Sequence, residues 1–507
     1  MRQRQPSATL LPRPDSKAVL LRNRYLLVSL FQFPFSNSPL PPYHLPMPLP
    51  TAHPTAHPPG PRGNFFLGST SELARDWPGF CQRCARDFGD IAFYRFLRTP
   101  ICQFTHPDDI ENVLVRQASK FHKSRDYAAL EFILGRGLLT NEGAPWQAQR
   151  QLIQPAFRHE NISSYAAIMA DSAAAYLARW RDQQSADLHL EIAQLTLEIV
   201  TRCLFGSKLN HYTRSIGSAI TTVMDRFFTQ ASLTFLLPEG FPIPKSPRLL
   251  LSRRELNRVI FSIIRTRRAA STFSDDLLQT LLNAHDDRGV HMDDVQLRDE
   301  LMTLFLAGHE TTANALTWTW YLLAQNPDAE QSLFDELDHV LAGRAPTLGD
   351  LPRLPYTEMV IKESLRLYPP AWGIGRRAIQ EFEIGGFRIP AGTNVFILQW
   401  VVHRDARFFP DPLRFDPERW RVDPIRAGRI PRFAYFPFGG GPRVCIGAGF
   451  AMMEATLLLA TIAQRYRFTL LPDPPVVPFF TVTLRPRYGL PVRVHARAAA
   501  PSLSVSA

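Results

Sequence analysis

Cys445 lies in the densest run of glycine and proline in the chain, Phe436-Pro437-Phe438-Gly439-Gly440-Gly441-Pro442-Arg443-Val444-Cys445-Ile446-Gly447. Such punctuation argues against helix or regular strand. Helical pattern resumes at once, from Ala448 to Arg465. The cysteine is therefore expected at a helix N-terminus, where unpaired N–H groups and the helix dipole favour an anionic sulfur. Glycine on both sides lets a flat, bulky group approach the backbone, and a soft thiolate suits iron. A lone cysteine is more often a small buried hydrophobe, but the spacing Phe-x-x-Gly-x-Arg-x-Cys-x-Gly favours a ligand. A second constellation is Gly308, Glu310, Thr311 and Thr312, in the middle of a long apolar segment. Threonine can bond back to the carbonyl four residues earlier, and a mid-core glutamate is costly to bury without partners. An acid and an alcohol side by side suit proton delivery. Glu363 and Arg366, three apart, meet on one helical face. Cys81 and Cys84 read as one helical face, Cys203 as core, and Cys102 with His106 lacks a helix to bring the pair together. His53 and His57, in a repeated Thr-Ala-His-Pro, read as part of a polyproline linker.

Long helices must position these groups. Asp294 to Gln325 contains no proline and one glycine, and as a helix it would run about 48 Å; Asn326-Pro327 stops it. Amphipathic helices are predicted at Glu72–Phe88, with Pro78 a kink or restart, and at Ser163–Trp180, Leu188–Phe205 and Leu249–Ala270. Phe235 to Pro247, with four prolines, reads as an apolar loop. Strands are predicted at Ile91–Phe96, Ile101–Phe104, Phe382–Ile389, Asn394–Leu398 and Phe468–Leu471. The class is mainly α with a smaller β portion, without a domain-scale repeat.

The 507 residues carry a net charge of +11, with 45% hydrophobic and 20% charged residues, a globular composition. Arginine is spread along the chain without basic blocks, which excludes a nucleic-acid binder in favour of a solvated basic surface or a docking face for an acidic protein. Five cysteines fit a reducing compartment. Residues 1–62 read as a Pro-rich disordered leader, 63–497 as one catalytic domain and 498–507 as a disordered tail. The apolar stretch Tyr25–Phe35 is too short to span a bilayer, leaving at most a peripheral contact.

Phe438, Gly441, Arg443, Cys445 and Gly447 match the haem-binding signature of the cytochrome P-450 family. Glu363-Ser364-Leu365-Arg366 resembles its Glu-x-x-Arg helix, and Pro417-Glu418-Arg419-Trp420 its Pro-Glu-Arg-aromatic segment. Ala307-Gly308-His309-Glu310-Thr311-Thr312 resembles its oxygen-activation helix, and Trp146-x-x-x-Arg150 its propionate-binding helix. The resemblance runs from about Gly63 to Val494, with all five motifs in order. It implies the family's fold, with the long central helix over haem b. It makes Cys445 the iron ligand, Thr311 and Glu310 the proton relay, and Glu363, Arg366 and Arg419 a buried structural triad. Trp146, Arg150, Arg376 and Arg443 would hold the porphyrin carboxylates, with Arg377 a rival to Arg376. Phe438 and Gly447 would shape the cofactor loop.

The implied reaction is insertion of one oxygen atom from dioxygen into a C–H bond of a large apolar substrate: a fatty acid, terpenoid or carotenoid. Arg125 or Arg377 could anchor a carboxylate, which would favour the fatty acid. No flavin or iron–sulfur segment follows Leu490. A ferredoxin-type donor with its reductase is therefore expected, docking near Arg426, Arg429, Arg432 and Arg443, and a bacterial-type cytoplasmic location. The alternatives are a haem sensor or carrier without turnover, and a peroxide-driven or isomerising haem-thiolate enzyme; neither needs both Glu310 and Thr311.

Overall fold

The computed structural model describes residues 57–206, 213–237, 241, 243–270 and 275–497. Residues 57–62 already belong to the folded body. Phe93 donates its N–H to the Pro59 carbonyl at 2.8 Å, Pro58 is buried, and a Cβ on Gly60 would lie 1.7 Å from the Phe93 oxygen. The domain boundary expected at 62/63 therefore moves upstream. The rest of the expected leader and the tail lie outside the described residues.

Pro78 restarts the first helical stretch. Helix α1 (Thr70–Arg75) ends at Asp76, whose carboxylate accepts the Gly79 N–H at 3.0 Å and caps α2 (Trp77–Phe88). Strands β1 (Ile91–Phe96) and β2 (Thr99–Phe104) form a hairpin, and β3 (Phe121–Lys123) precedes α3 (Tyr127–Leu134) and α4 (Gly143–Ile153). The expected helix Ser163–Trp180 is shorter, α5 (Tyr165–Leu177), entered through a separate turn at His159–Ser163. After β4 (Ser185–Asp187) come α6 (Leu188–Phe205), α7 (Thr213–Leu236) and α8 (Pro247–Ala269). Helical pattern thus continues two residues into the expected Phe235–Pro247 loop and stops just before Pro238. Pro247 opens α8, with the Ser246 hydroxyl accepting the Leu249 N–H at 3.3 Å, because proline suits a first helical turn.

The central helix, α9 (Asp294–Leu323), starts where the Asp293 carboxylate accepts the Gln296 N–H at 2.7 Å. It is buried almost all round, as a helix through a large core must be. Helices α10 (Pro327–Leu341) and α11 (Pro355–Leu367) follow. Strands β5 (Ile374–Ala378) and β8 (Asn394–Ile397) complete a five-stranded sheet in the order β1-β2-β8-β5-β3. The β2–β8 pair is parallel and the others antiparallel. A hairpin of β6 (Phe382–Ile384) and β7 (Phe387–Ile389) lies between β5 and β8 in the chain. The cysteine loop leads into α12 (Ala448–Ala463). Last come β9 (Tyr466–Leu470), the β10 (Pro478–Phe480)–β11 (Leu484–Pro486) hairpin, and β12 (Pro491–Ala496), which joins β4 and β9.

The largest core cluster joins α5, α6, α9, α11 and α12; a second covers the five-stranded sheet. Each fully buried leucine there, such as Leu297, Leu301 or Leu457, contributes roughly 1.5–3 kcal/mol. No helix of the described residues is long and apolar enough to cross a membrane.

Candidate active site

Between α9 and the cysteine loop lies a cavity of about 690 Å³. Cys445 is the one exposed cysteine of the five, and it lines this cavity. Its loop is tied to itself: Gly439 N–H donates to the Phe436 carbonyl and Cys445 N–H to the Phe438 carbonyl, both at 2.9 Å. Gly441 has φ +68°, and a Cβ there would lie 1.8 Å from the Leu114 oxygen. Gly447 stands at the N-terminus of α12, two residues past Cys445. Burial among protein atoms pushes the Cys445 thiol up, while the Gly447 N–H and the Arg150 charge pull it down. A coordinated metal ion overrides that balance, since a coordinating thiol is deprotonated outright.

One wall of the cavity is cationic. Register in the sheet sets Lys123 of β3 opposite Arg376 of β5. Alternation along β5 buries Arg376 against the cavity and sends Arg377 to a separate outer groove. Arg443 donates to the Asn141 carbonyl at 3.0 Å, pairs with Glu142, and lies 4.1 Å over the Trp146 ring. Its Nη1 is buried without a hydrogen-bond partner. Lys123 sits 4.5 Å over the Tyr127 ring, and Arg376 donates from Nη1 to the Gly375 carbonyl at 2.9 Å. Burial, then Arg376 and Arg443, hold Lys123 well below the usual lysine value; burial draws Arg443 down to about 10. Among the described residues, Asp126 and Glu142 are the carboxylates that act on Lys123 and Arg376, and Arg443 keeps an orphaned guanidinium N–H. Two buried carboxylates from a porphyrin would answer that donor and the neighbouring cations.

The opposite wall is α9. Gly308 lets the helix pass close to Val200, with an added Cβ at 3.2 Å from its methyl. Thr311 donates to the Ala307 carbonyl at 2.7 Å, the back-bond expected from sequence, and α9 stays continuous through it. Glu310 is buried and accepts from the Thr483 hydroxyl at 2.8 Å; Thr483 also accepts from Asn314 Nδ2 at 3.1 Å. Most of the remaining lining is apolar, with Phe96, Leu138, Phe235, Leu306, Trp372 and Phe480 among it, interrupted by Ser232, Gln399 and Arg487. Trp372 is pinned by its Nε1–H to the Thr481 carbonyl at 2.9 Å.

Of the residues expected to act together, Cys445, Phe438, Gly447, Trp146, Arg150, Arg376, Arg443, Glu310 and Thr311 all line this cavity. Arg150 spends one guanidinium N–H on the Val444 carbonyl at 2.8 Å, so it holds the cysteine loop. Arg125 donates to the Leu237 carbonyl at 3.2 Å and lines the outer groove, as Arg377 does, so neither is placed to anchor a substrate carboxylate in the cavity. Glu363, Arg366 and Arg419 lie apart from the cavity and close to one another. Glu363 and Arg366 are fully buried and joined at 2.8 and 2.9 Å; Arg419 reaches Glu363 at a longer 3.4 Å. Trp420 Nε1 and the Asp416 N–H also bond Glu363, at 2.9 and 3.1 Å. Sequence reasoning missed Lys123 and Glu142, and the particular contacts of Tyr127 and Thr483. Lys123 reads locally as part of a basic edge strand, and only its pairing with Arg376 reveals it. Cys81/Cys84 and Cys102/His106 form no metal cluster; among the described residues there is none.

The exposed Cys445 thiol and the wall of Lys123, Arg376 and Arg443 would suit a planar macrocycle bearing two carboxylates, and comparison bears out that class. The cytochrome P450 family model matches residues 58–490, and the chain belongs to that family. It is a haem-thiolate monooxygenase, using dioxygen and a separate redox partner. It is 39% identical over 393 residues to cyclooctatin synthase of Streptomyces melanosporofaciens, covering 77% of this chain and 85% of that one. It is 36% identical over 386 residues to cyclooctat-9-en-7-ol 5-monooxygenase of the same organism, covering 76% and 83%. Among solved structures, retinoic acid-bound cyanobacterial CYP120A1 superposes with a TM-score of 0.76 at 27% identity, covering 88% of this chain and all of that one.

Proposed function

We propose that this enzyme hydroxylates a large cyclic or polyene terpenoid, on haem b, with electrons from a ferredoxin-type protein in the cytoplasm. The observation that carries the substrate class is the lining of the cavity: mostly aromatic and aliphatic side chains, with polar groups at the cationic wall, at the Glu310–Thr311 turn and at a few further positions such as Ser232, Gln399, Thr483 and Arg487. A pocket of that kind binds by apolar burial and fixes orientation with few polar contacts. The substrate named for one relative, cyclooctat-9-en-7-ol, and the ligand of the solved structure, retinoic acid, support a large apolar substrate.

Bound haem supplies the dioxygen-activating chemistry. The chain's own residues do the rest. Cys445 Sγ holds the iron as thiolate. Lys123, Arg376 and Arg443 hold the porphyrin carboxylates, and Trp146 packs under Arg443. Thr311 Oγ1 and the Glu310 carboxylate hold and move protons on the cavity side of α9, with Thr483 fixing Glu310. Trp372 and Phe480 orient substrate and exclude water. The acid–alcohol pair favours turnover over mere haem carriage. Exposed Arg426, Arg429 and Arg432, which follow the Pro417–Trp420 turn, offer an acidic donor a docking face.

The test is a spectral titration of the holoenzyme with diterpenes, carotenoids and fatty acids, followed by product analysis with a ferredoxin and its reductase. Spin-state shifts and hydroxylated product with terpenoids are expected. Turnover of fatty acids with none of terpenoids would overturn the substrate assignment.

A further inference from the structure

His403 is fully buried, one residue past the short helix Gln399–Val402. Its Nε2 accepts the Phe436 N–H at 3.0 Å, at the start of the cysteine loop. The ring lies tilted over Tyr435 and edge-on to Phe436, centroids 5.2 Å apart in each case. The His403 carbonyl accepts from Arg366 Nη1 at 2.8 Å. Nδ1 faces the Leu365 and Arg366 carbonyls without closing a good hydrogen bond to either.

These contacts form one path. The Glu363–Arg366 pair holds the His403 backbone, the imidazole holds Phe436, and the Phe436 carbonyl holds Gly439. The Phe438 carbonyl then holds Cys445. Phe436 and Phe433 are themselves set into the second core cluster, so the loop hangs from a fixed point. An imidazole that accepts at Nε2 must be neutral and carry its proton on Nδ1. Burial, then the flanking Arg366 and Arg404 charges, keep the His403 pKa well below its usual value and so hold it neutral.

We propose that His403 is a positioning residue for Cys445: its Nε2 fixes Phe436, and through Phe436 the loop that keeps the sulfur on the iron. The proposal rests on Cys445 being the axial ligand. Leucine at 403 fills similar space but strands the Phe436 N–H in a dry interior; glutamine offers a carbonyl in its place.

The experiment uses ferrous carbonyl holoenzyme and follows the long-wavelength Soret band of thiolate-ligated haem as it converts to the short-wavelength band. Haem content and unfolding midpoint are recorded alongside. His403→Leu is expected to bind haem but to convert about ten times faster or more, and His403→Gln to restore most of the difference. Tyr435→Phe, which loses only a bond from the Tyr435 hydroxyl to the Lys362 carbonyl (3.1 Å), should convert at the wild-type rate. Wild-type conversion in His403→Leu, or no rescue by glutamine, overturns the proposal. Should His403→Leu yield no holoenzyme, the 15N spectrum of the diamagnetic wild-type carbonyl complex decides: a proton on Nδ1 is expected, and one on Nε2 refutes it. If Cys445→Ala keeps the long-wavelength band, the axial-ligand assignment itself has failed.

Discussion

Replacing Glu363 by alanine tests what the Glu-x-x-Arg pair does. The carboxylate is fully buried and takes two bonds from Arg366, one each from Trp420 Nε1 and the Asp416 N–H, and a long one from Arg419. Its loss leaves the Arg366 charge without a counter-ion. Arg366 cannot swing to water, because its remaining N–H groups are held by the His403, Pro412 and Arg414 carbonyls at 2.8, 2.7 and 3.1 Å. Stranding one member of a buried pair costs about 3–5 kcal/mol. Orphaned Trp420 and Asp416 donors push the figure to the upper end, about 5 kcal/mol. That is a third or more of a typical net stability of about 5–15 kcal/mol, so the variant should be largely free of haem or misfolded. The assay is equilibrium urea unfolding with haem content measured on the same samples. A Glu363→Leu/Arg366→Met double variant should be less destabilised than Glu363→Ala, because no charge is stranded. A haem-loaded Glu363→Ala within about 1 kcal/mol of wild type, merely slower in turnover, would refute the structural role.

Thr311→Ala should bind haem and substrate but divert reducing equivalents to hydrogen peroxide; unchanged coupling of electron use to product removes Thr311 from the proton relay. Gly441→Ala should abolish haem loading, since its φ is left-handed and its Cβ meets the Leu114 oxygen. Gly439→Ala, also left-handed but with its nearest atom 3.6 Å away, should cost only about 1–2 kcal/mol and still load. Equal haem content in the two would contradict the close approach. Glu454 of α12 is buried near the Thr312 hydroxyl, and burial raises it from 4.5 to about 8. Between those values the folded form holds a proton that the unfolded chain releases. Wild-type stability should therefore fall as pH rises through this window, by at most about 1.4 kcal/mol per pH unit, and level off above it. Glu454→Gln should flatten that fall, measured as urea midpoints from pH 5 to 8.5; parallel curves would show that Glu454 titrates normally.

Local chemistry made much of the site legible. The Gly-Pro punctuation around Cys445, the i, i+3 pair at 363 and 366, and the proline-free run through Gly308 each constrain backbone and burial within one segment. Arg376 could not be separated from Arg377 until pairing with β8 and β3 fixed which side faces inward. Lys123 and His403 were illegible for a different reason: each acts on a partner far away in the chain, and nothing beside it in sequence says so. The Phe235–Pro247 loop was set too early because four prolines masked the apolar turn of helix that ends at Leu236. The leader boundary was set too late because Pro58 and Gly60 look like linker, yet Pro58 is buried and Gly60 lies against the Phe93 backbone of β1.

The clustering of positive charge around Lys123, Arg376 and Arg443 bears on how much of this protein a cell can keep. Without the porphyrin carboxylates, Lys123, Arg376 and Arg443 crowd together with Asp126 and Glu142 as their carboxylate neighbours, and the chain is correspondingly less stable. A ligand that binds only the native form stabilises it by about 2.7 kcal/mol at one hundred times its Kd, and shifts of about 1–2 kcal/mol change cellular abundance several-fold. Haem supply would then set not only how many molecules are active but how many survive proteolysis. The half-life of the polypeptide in haem-starved against haem-replete cells measures this directly, and equal half-lives would show that the wall tolerates its own charge.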